Sequence, residues 1–130
     1  RPGENAQRVL SRAVHEAANA TADWSRRASV VQRVRDRLRP RIDALEGSRV
    51  DRGTAYAVAY NQTAATRYAA DHCPGGPDRQ FGPCEARRGV VVQRRAGGTT
   101  VLAVAFDVTV TTDRGRSRLT LVVRAIGGTR

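Results

Sequence analysis

The sequence predicts an α+β fold in which an N-terminal amphipathic helical region packs on a three- or four-stranded antiparallel sheet. Three observations predict it: a seven-residue apolar repeat within residues 5–46, strict apolar and polar alternation within residues 99–112, and a length of 130 residues. That length suits a single domain with one core. An apolar sheet face must be covered, and the helical region is the only predicted element with a matching apolar stripe.

The helical region, residues 5–46, carries the repeat. Its apolar positions recur every seven residues: Leu10, Ala17, Trp24, Val31, Leu38 and Leu45. A stripe in phase over this distance favours one continuous helix of roughly 60 Å. Pro40 predicts a kink because proline removes a backbone hydrogen bond, and Gly47 is typical of a helix end. The alternative is two helices separated near residues 20–25, where polar residues could cap the second one: Thr21, Asp23 and Ser25.

Residues 52–70 are compatible with either a strand or a helix. Tyr56, Val58 and Tyr60 alternate with alanines, as in a half-buried strand, but the two tyrosines also lie one helical turn apart. Because tyrosine and valine favour strands, we expect a strand over residues 54–61.

Residues 71–87 form a loop rich in proline and glycine that contains both cysteines, Cys73 and Cys84. A disulfide between them would stabilise the fold by roughly 3 kcal/mol in the chain-entropy model. It would also indicate a location outside the reducing cytosol, secreted or at the cell surface. Two free thiols are the alternative. A zinc site is disfavoured because only His72 lies nearby and zinc needs about four ligands.

Residues 88–126 predict the antiparallel sheet. A strand over 88–95 is followed by a hairpin signal, Ala96-Gly97-Gly98, and by the long alternating segment 99–112. A turn at Asp113 to Gly115 then leads to the strand 118–126. In the long strand the alternation places two sets of residues on opposite faces: Leu102, Val104, Phe106, Val108 and Val110 on one, and Val101, Ala103, Asp107, Thr109 and Thr111 on the other.

No pattern in the sequence predicts an enzyme. The two histidines, His15 and His72, are far apart, and no serine or cysteine lies in a recognisable nucleophile motif. The glycine pair 97–98 joins two strands and is no phosphate-binding loop. We therefore expect no catalytic residue, no metal site and no cofactor.

Arginine supplies all 23 basic residues, and the formal net charge is +11. A codon bias toward arginine accounts for the missing lysine, but so positive a surface still attracts acidic molecules. One side of the helical region carries a basic ridge: Arg26, Arg27, Arg33, Arg37 and Arg41. An alternative function is therefore the binding of nucleic acid or another polyanion through this ridge.

Two Asn-x-Thr triplets, at Asn19 and Asn61, fit the N-glycosylation pattern. They predict glycan attachment only if the chain comes from a eukaryote or a virus.

A helical region on an antiparallel meander, with a cysteine-closed loop, resembles the soluble part of pilins and the pilin-like minor subunits of tight-adherence secretion systems. The resemblance is carried by the repeat from Leu10 to Leu45 and the strands of 88–126. It implies an exported, non-catalytic ectodomain of a membrane-anchored or pilus-like assembly protein, with any membrane anchor outside residues 1–130. Where the helix extends past the sheet, one part of its face would contact a protein partner or another copy: Trp24, Val31 and Leu38.

A second resemblance competes with the first. The stretches AYAVAYNQTA and QRRAGGTTVLAVAFDVTV are similar to the cystatin pattern of a Tyr-Asn helix and a Gln-x-x-x-Gly hairpin. Gln93, Ala96 and Gly97 match that hairpin, although Arg95 stands where cystatins usually have valine. The resemblance implies a cystatin-like fold for residues 50–130 and a protein-binding hairpin that enters a cysteine-protease cleft.

Overall fold

The computed structural model describes residues 2–20, 27–47, 53–75, 81–96 and 98–125, which form three helices and five strands. In chain order these are α1 (Pro2–Ala20), α2 (Arg27–Gly47), β1 (Ala55–Tyr60), α3 (Gln62–Asp71), β2 (Cys84–Arg87), β3 (Val90–Arg95), β4 (Gly98–Thr112) and β5 (Gly115–Arg124). The predicted α+β class is confirmed. The sheet has five strands, because β2 lies in a segment that the sequence predicted to be a loop.

The helical region is a pair of helices that pack side by side. The Arg41 guanidinium lies 2.6 Å from the Glu16 carboxylate, whereas in one continuous helix these residues would be roughly 37 Å apart. The prediction of a single continuous helix is therefore wrong, and the two-helix alternative is confirmed. α2 ends at Gly47, as predicted, and contains Pro40 within its bounds; the kink expected at Pro40 stays a prediction.

β4 is the long central strand of an antiparallel sheet. β3 pairs with its first half and β1 with its second half, both along one edge, while β5 pairs along the other edge. β2 extends the sheet beyond β3. The strand predicted over 54–61 is confirmed as β1.

One face of the sheet lies beneath α1 and α2. The largest core cluster joins both helices to this face through apolar side chains from nearly every described element: Leu10, Val14, Val30, Val34, Leu38, Val90, Val104, Phe106 and Val108 among them. All nine of these side chains have no exposed surface. The described members of the apolar repeat are thus buried, but on two helices: Leu10, Ala17, Val31, Leu38 and Leu45.

The second face is covered only in part, by α3. A smaller cluster packs Ala65 of α3 on Val91, Leu102, Ala103 and Ala105. Leu102 was predicted on the opposite face. The register shifts between Val91 and Val92, and such a bulge breaks the two-residue period, so Val101 and Leu102 exchange their predicted faces.

The turn from β2 to β3 positions α3. Gly89 has a φ of +89°, and a Cβ atom there would lie 2.8 Å from the Cβ of Tyr60. Its N–H donates to the Gln62 side chain at 2.7 Å, and Gln62 also donates to the Ala86 carbonyl at 2.9 Å. These contacts hold the start of α3 against this end of the sheet.

Within the described parts of the chain, no helix combines the length and the apolar character that crossing a membrane requires.

Candidate interaction surface

On the far side of the sheet, beyond the end of α3, no described element packs on the strands. The residues of this surface, the open face, alternate in sequence with the core residues of β1, β4 and β5: Ala55, Ala57, Ala59, Asp107, Thr109, Thr111, Arg116, Arg118 and Thr120. The register arranges them in rows across the three strands, such as Ala57, Thr109 and Arg118. All are exposed or half-buried.

Small side chains occupy the centre of the open face, on β4, and its side on β1. The three alanines of β1 are exposed, and Thr109 and Thr111 beside them are half-buried. Exposed strand positions more often carry larger β-branched or aromatic side chains, because alanine covers little of the backbone. The open face is consequently low and flat, and another molecule can approach the strands closely.

A hydrogen-bonded network lies at the end of the open face next to α3, which is called its upper end. Asn61 caps α3 by accepting a hydrogen bond from the Ala64 N–H at 2.8 Å, and its amide donates to Asp107 at 2.9 Å. The Thr120 hydroxyl donates to the same Asp107 oxygen at 3.0 Å. The Asp107 carboxylate is thereby occupied within the fold.

The cationic side chains of this region are unpaired. Among the described residues, none forms an ion pair with Arg116 or Arg118 on the open face, or with Arg67 and Arg124 near its upper end. These four arginines therefore form no ion pair with a described residue, although Asp107 lies on the open face and Asp71 lies near Arg67 and Arg124.

A groove of about 360 Å³ runs between α3 and β5 where the open face meets the helix. Its lining combines apolar and charged groups: Ala64, Arg67, Tyr68, Asp71, His72, Thr120, Val122 and Arg124. Val122 is 37% exposed and is the one large apolar side chain that is exposed in the described part of the chain. The groove could hold an apolar side chain between two guanidinium groups.

The predicted protein-interaction residues lie elsewhere. Val31 and Leu38 are only 2% and 0% exposed, so they cannot contact a partner while the domain is folded, and that prediction is wrong. Trp24 lies outside the described residues. The helix that was expected to extend past the sheet is instead packed on it, and the assembly hypothesis loses the observation on which it rested.

The predicted basic ridge is exposed at Arg33, Arg37 and Arg41. Arg26 lies outside the described residues, as does the side chain of Arg27. The ridge is partly neutralised, since Arg41 pairs with Glu16 and Asp36 lies on the same helix.

Beside the ridge, Arg35 stacks on the rim of the core. Its guanidinium carbon lies 3.9 Å from the centre of the Tyr60 ring, and it donates to the Arg88 carbonyl at 2.8 Å. Burial raises the pKa of the Tyr60 hydroxyl above its ordinary value of 10.0, against the opposing effect of the Arg35 charge. Burial also lowers the pKa of Arg35. This arginine therefore acts in packing and is poorly placed to bind a polyanion.

The cystatin-type hairpin is not available as predicted. Gln93 has no exposed surface; its amide donates to the Pro74 and Gly82 carbonyls at 2.8 and 2.9 Å. It thus holds the cysteine loop and cannot enter a protease cleft, so its assignment as a binding residue is wrong. Ala96 is exposed at the hairpin, and Gly97 lies outside the described residues.

The predicted disulfide is present. Cys73 and Cys84 are bonded, with their Cα atoms 5.7 Å apart, and the bond ties the chain just after α3 to the start of β2. In the described residues no group of three or more potential metal ligands occurs.

The two glycosylation triplets differ in accessibility. The Asn61 side chain is half-buried and its amide nitrogen, the atom that would carry a glycan, donates to Asp107; its glycosylation stays a prediction. Asn19 is exposed on α1, and its modification stays a prediction.

The open face escaped the sequence analysis, although its signal was present. The alternation in 99–112 placed Asp107, Thr109 and Thr111 on the side away from the core. The sequence did not predict that the alanines of β1 and the arginines of β5 lie on either side of these residues. Strand order depends on pairing between distant segments, which local patterns do not reveal.

Among curated proteins and solved structures, none matches the chain. The one family match names neither pilins nor cystatins, so both resemblances stay predictions. The match covers residues 1–124, nearly the whole chain, and the protein accordingly belongs to a family of unknown function, DUF7261.

Proposed function

We propose that this chain is an exported, non-catalytic domain that binds an acidic protein partner through the open face. The disulfide supports an oxidising, extracytoplasmic compartment, since such bonds persist there and are rare in the cytosol. The interaction role agrees with the general function predicted from the sequence, but it uses a different surface.

The observation that carries the proposal is the composition of the open face. Antiparallel sheets commonly leave one face in water, so exposure alone indicates nothing. Here, however, the exposed positions combine a flat area of alanine and threonine with unpaired arginines on one side. The flat area permits close contact, and the arginines select the sign of the partner's charge.

A protein is favoured over a single-stranded nucleic acid because, among the described residues, the strands carry no aromatic side chain on the open face for base stacking, and Tyr68 lies only in the adjoining groove. Tyr56, Tyr60 and Phe106 all pack toward α1 and α2. Polyanion binding through the ridge is retained as the competing hypothesis, and the following experiment distinguishes the two.

The test uses poly-L-glutamate of about 20 residues, with heparin and a 20-base-pair DNA duplex as comparison ligands. The double variant Arg116→Glu/Arg118→Glu changes two charges on the open face, and Arg33→Glu/Arg37→Glu makes the same change on the ridge. Since one exposed ion pair is worth up to about 1 kcal/mol, we expect the open-face variant to weaken poly-glutamate binding by about tenfold or more. The ridge variant should weaken it by less than about threefold.

Equal losses from the two variants would mean that binding follows net charge alone, and the proposal would be wrong. Tighter binding of DNA or heparin, lost mainly in the ridge variant, would establish the polyanion hypothesis in its place. Circular dichroism and thermal unfolding of both variants serve as controls for folding.

A further inference from the structure

We infer that the partner contributes an extended acidic segment that adds to β5 as a sixth strand of the sheet. This inference rests on the proposed function and specifies how the open face is used. It follows from three features of β5: an unpaired backbone edge, the side chains beside that edge, and the adjoining groove.

The outer edge of β5 is unpaired in the described structure. β5 pairs with β4 alone. Ala125 N–H, just after the strand, donates inward to the Leu102 carbonyl, whereas the Arg124 carbonyl lies 3.0 Å from the His15 imidazole of α1. In this part of β5, the N–H and C=O groups of odd-numbered residues point toward β4, and those of even-numbered residues point away from it. Because the strand repeats every two residues, the same holds at Arg116, Arg118, Thr120 and Val122.

No hydrogen bond from the described residues reaches the backbone of those four. The opposite edge of the sheet differs, because the Val58 N–H of β1 donates to the Glu46 carboxylate of α2 at 2.9 Å. The β1 edge is thus protected by the Glu46 side chain of α2. Within the described structure, the β5 edge has free backbone groups at about four residues, and the free stretch ends at Arg124, whose carbonyl contacts His15.

The same four residues also face the open side with their side chains. In an added strand, the residue directly opposite each of them would lie within about 5.5 Å, on the same face. Acidic residues would pair with Arg116 and Arg118, a threonine or serine would suit Thr120, and an apolar residue would lie beside Val122. That apolar side chain would enter the groove against Tyr68.

A second copy of this chain is a poor occupant. Charged edge residues are a common protection against pairing between identical sheets, and each copy would bring the arginines of β5 and a net charge of +11 to the contact. The same charges favour an acidic strand, so the edge excludes copies of itself and admits a partner of opposite sign.

The experiment uses a seven-residue peptide, Val-Thr-Thr-Thr-Glu-Thr-Glu, designed to run antiparallel to β5 with its glutamates opposite Arg118 and Arg116. Methylation of the amide nitrogens opposite Arg118 and Thr120 removes two hydrogen bonds to β5. At about 1 kcal/mol for each bond, roughly fivefold in affinity, we expect a loss of roughly 25-fold. Methylation of the amide nitrogens opposite Ser117 and Leu119, whose N–H groups point away from β5, is the matched control and should change affinity by less than about twofold.

Equal effects of the two methylations would overturn strand addition, as would failure of the unmethylated peptide to bind at millimolar concentration. The proposed function would still stand in either case if Arg116→Glu/Arg118→Glu weakens poly-glutamate binding, so the two failures are distinguishable. Hydrogen exchange gives an independent readout: the amides of Arg118 and Thr120 should become protected when the peptide binds, and the amide of Arg33 on α2 should not.

Discussion

On one face of the sheet, Val104, Phe106 and Val108 lie beneath α1 and α2 with no exposed surface, whereas on the other face Thr109 and Thr111 of the same strand stay half-exposed. The two sets alternate along β4, so the difference arises from what packs above them. Two helices of about twenty residues each cover the first face. The ten-residue α3 covers only the upper part of the second.

The comparison separates stability from recognition. The covered face supplies the large core cluster, and substitutions there should unfold the domain. The open face carries small side chains and unpaired arginines, and substitutions there should change binding while leaving the fold intact.

The largest expected effect comes from the covered face. Phe106→Ala removes a fully buried ring that contacts Tyr60 at 5.4 Å between ring centres, and should lower the free energy of unfolding by about 3–5 kcal/mol. Thr109→Ala on the open face should lower it by no more than about 1 kcal/mol, the span of strand propensities. Urea denaturation with the disulfide intact measures both. Similar losses in the free energy of unfolding for the two variants would contradict the proposal that the covered face provides stability and the open face does not.

An intermediate effect is expected where α3 covers the second face. Replacing both cysteines, Cys73→Ser/Cys84→Ser, should cost about 3 kcal/mol, because the bond restricts the unfolded chain across an eleven-residue separation. Reduction of the unaltered protein with dithiothreitol is the matched control and should give the same loss in urea denaturation. A loss below about 0.5 kcal/mol in both would show that Gln93 and the α3 contacts hold the loop by themselves.

The smallest effect concerns the rim of the covered face. Because burial raises the pKa of Tyr60 above 10.0, the folded state favours the neutral hydroxyl. The contribution of the neutral Tyr60 hydroxyl to the free energy of unfolding is fully present below pH 10. It is lost as the pH rises through the folded-state pKa, because the unfolded chain releases the Tyr60 proton at a lower pH than the folded protein does. The unaltered protein should therefore lose stability more steeply above pH 10 than Tyr60→Phe, which keeps the ring against Phe106. Thermal unfolding between pH 8 and pH 11.5 measures this, and parallel curves would contradict it.

Local patterns predicted the elements well where one segment decides its own structure. The alternation in 99–112 became β4, and Gly47 ended α2 as expected. The seven-residue repeat correctly indicated an apolar helical stripe, although Val31 and Leu38 were predicted to contact a partner and are buried. A repeat in phase cannot distinguish one long helix from two helices whose bounds, as in α1 and α2, leave six residues between them. The strand β2 and the bulge at Leu102 also escaped prediction, since both depend on pairing with another strand.

The candidate site was less predictable than the fold. The sequence directed attention to the helix ridge, where arginines cluster in a short segment, and to Val31, Leu38 and Gln93, which the fold buries. The open face collects its members from three strands, and the outermost of them, Ala55 and Thr120, lie 65 positions apart in the chain. No local window contains that combination.

The amino-acid sequence by itself determined the α+β class, the apolar stripe and the positive charge, and it favoured the disulfide, because each depends on composition or on spacing within one segment. Only the tertiary structure decided which apolar residues are hidden, which arginines have acidic neighbours and which strand edge is unpaired. These properties depend on contacts between distant segments, and the number of ways to pair five strands and place three helices is far larger than local spacing can distinguish.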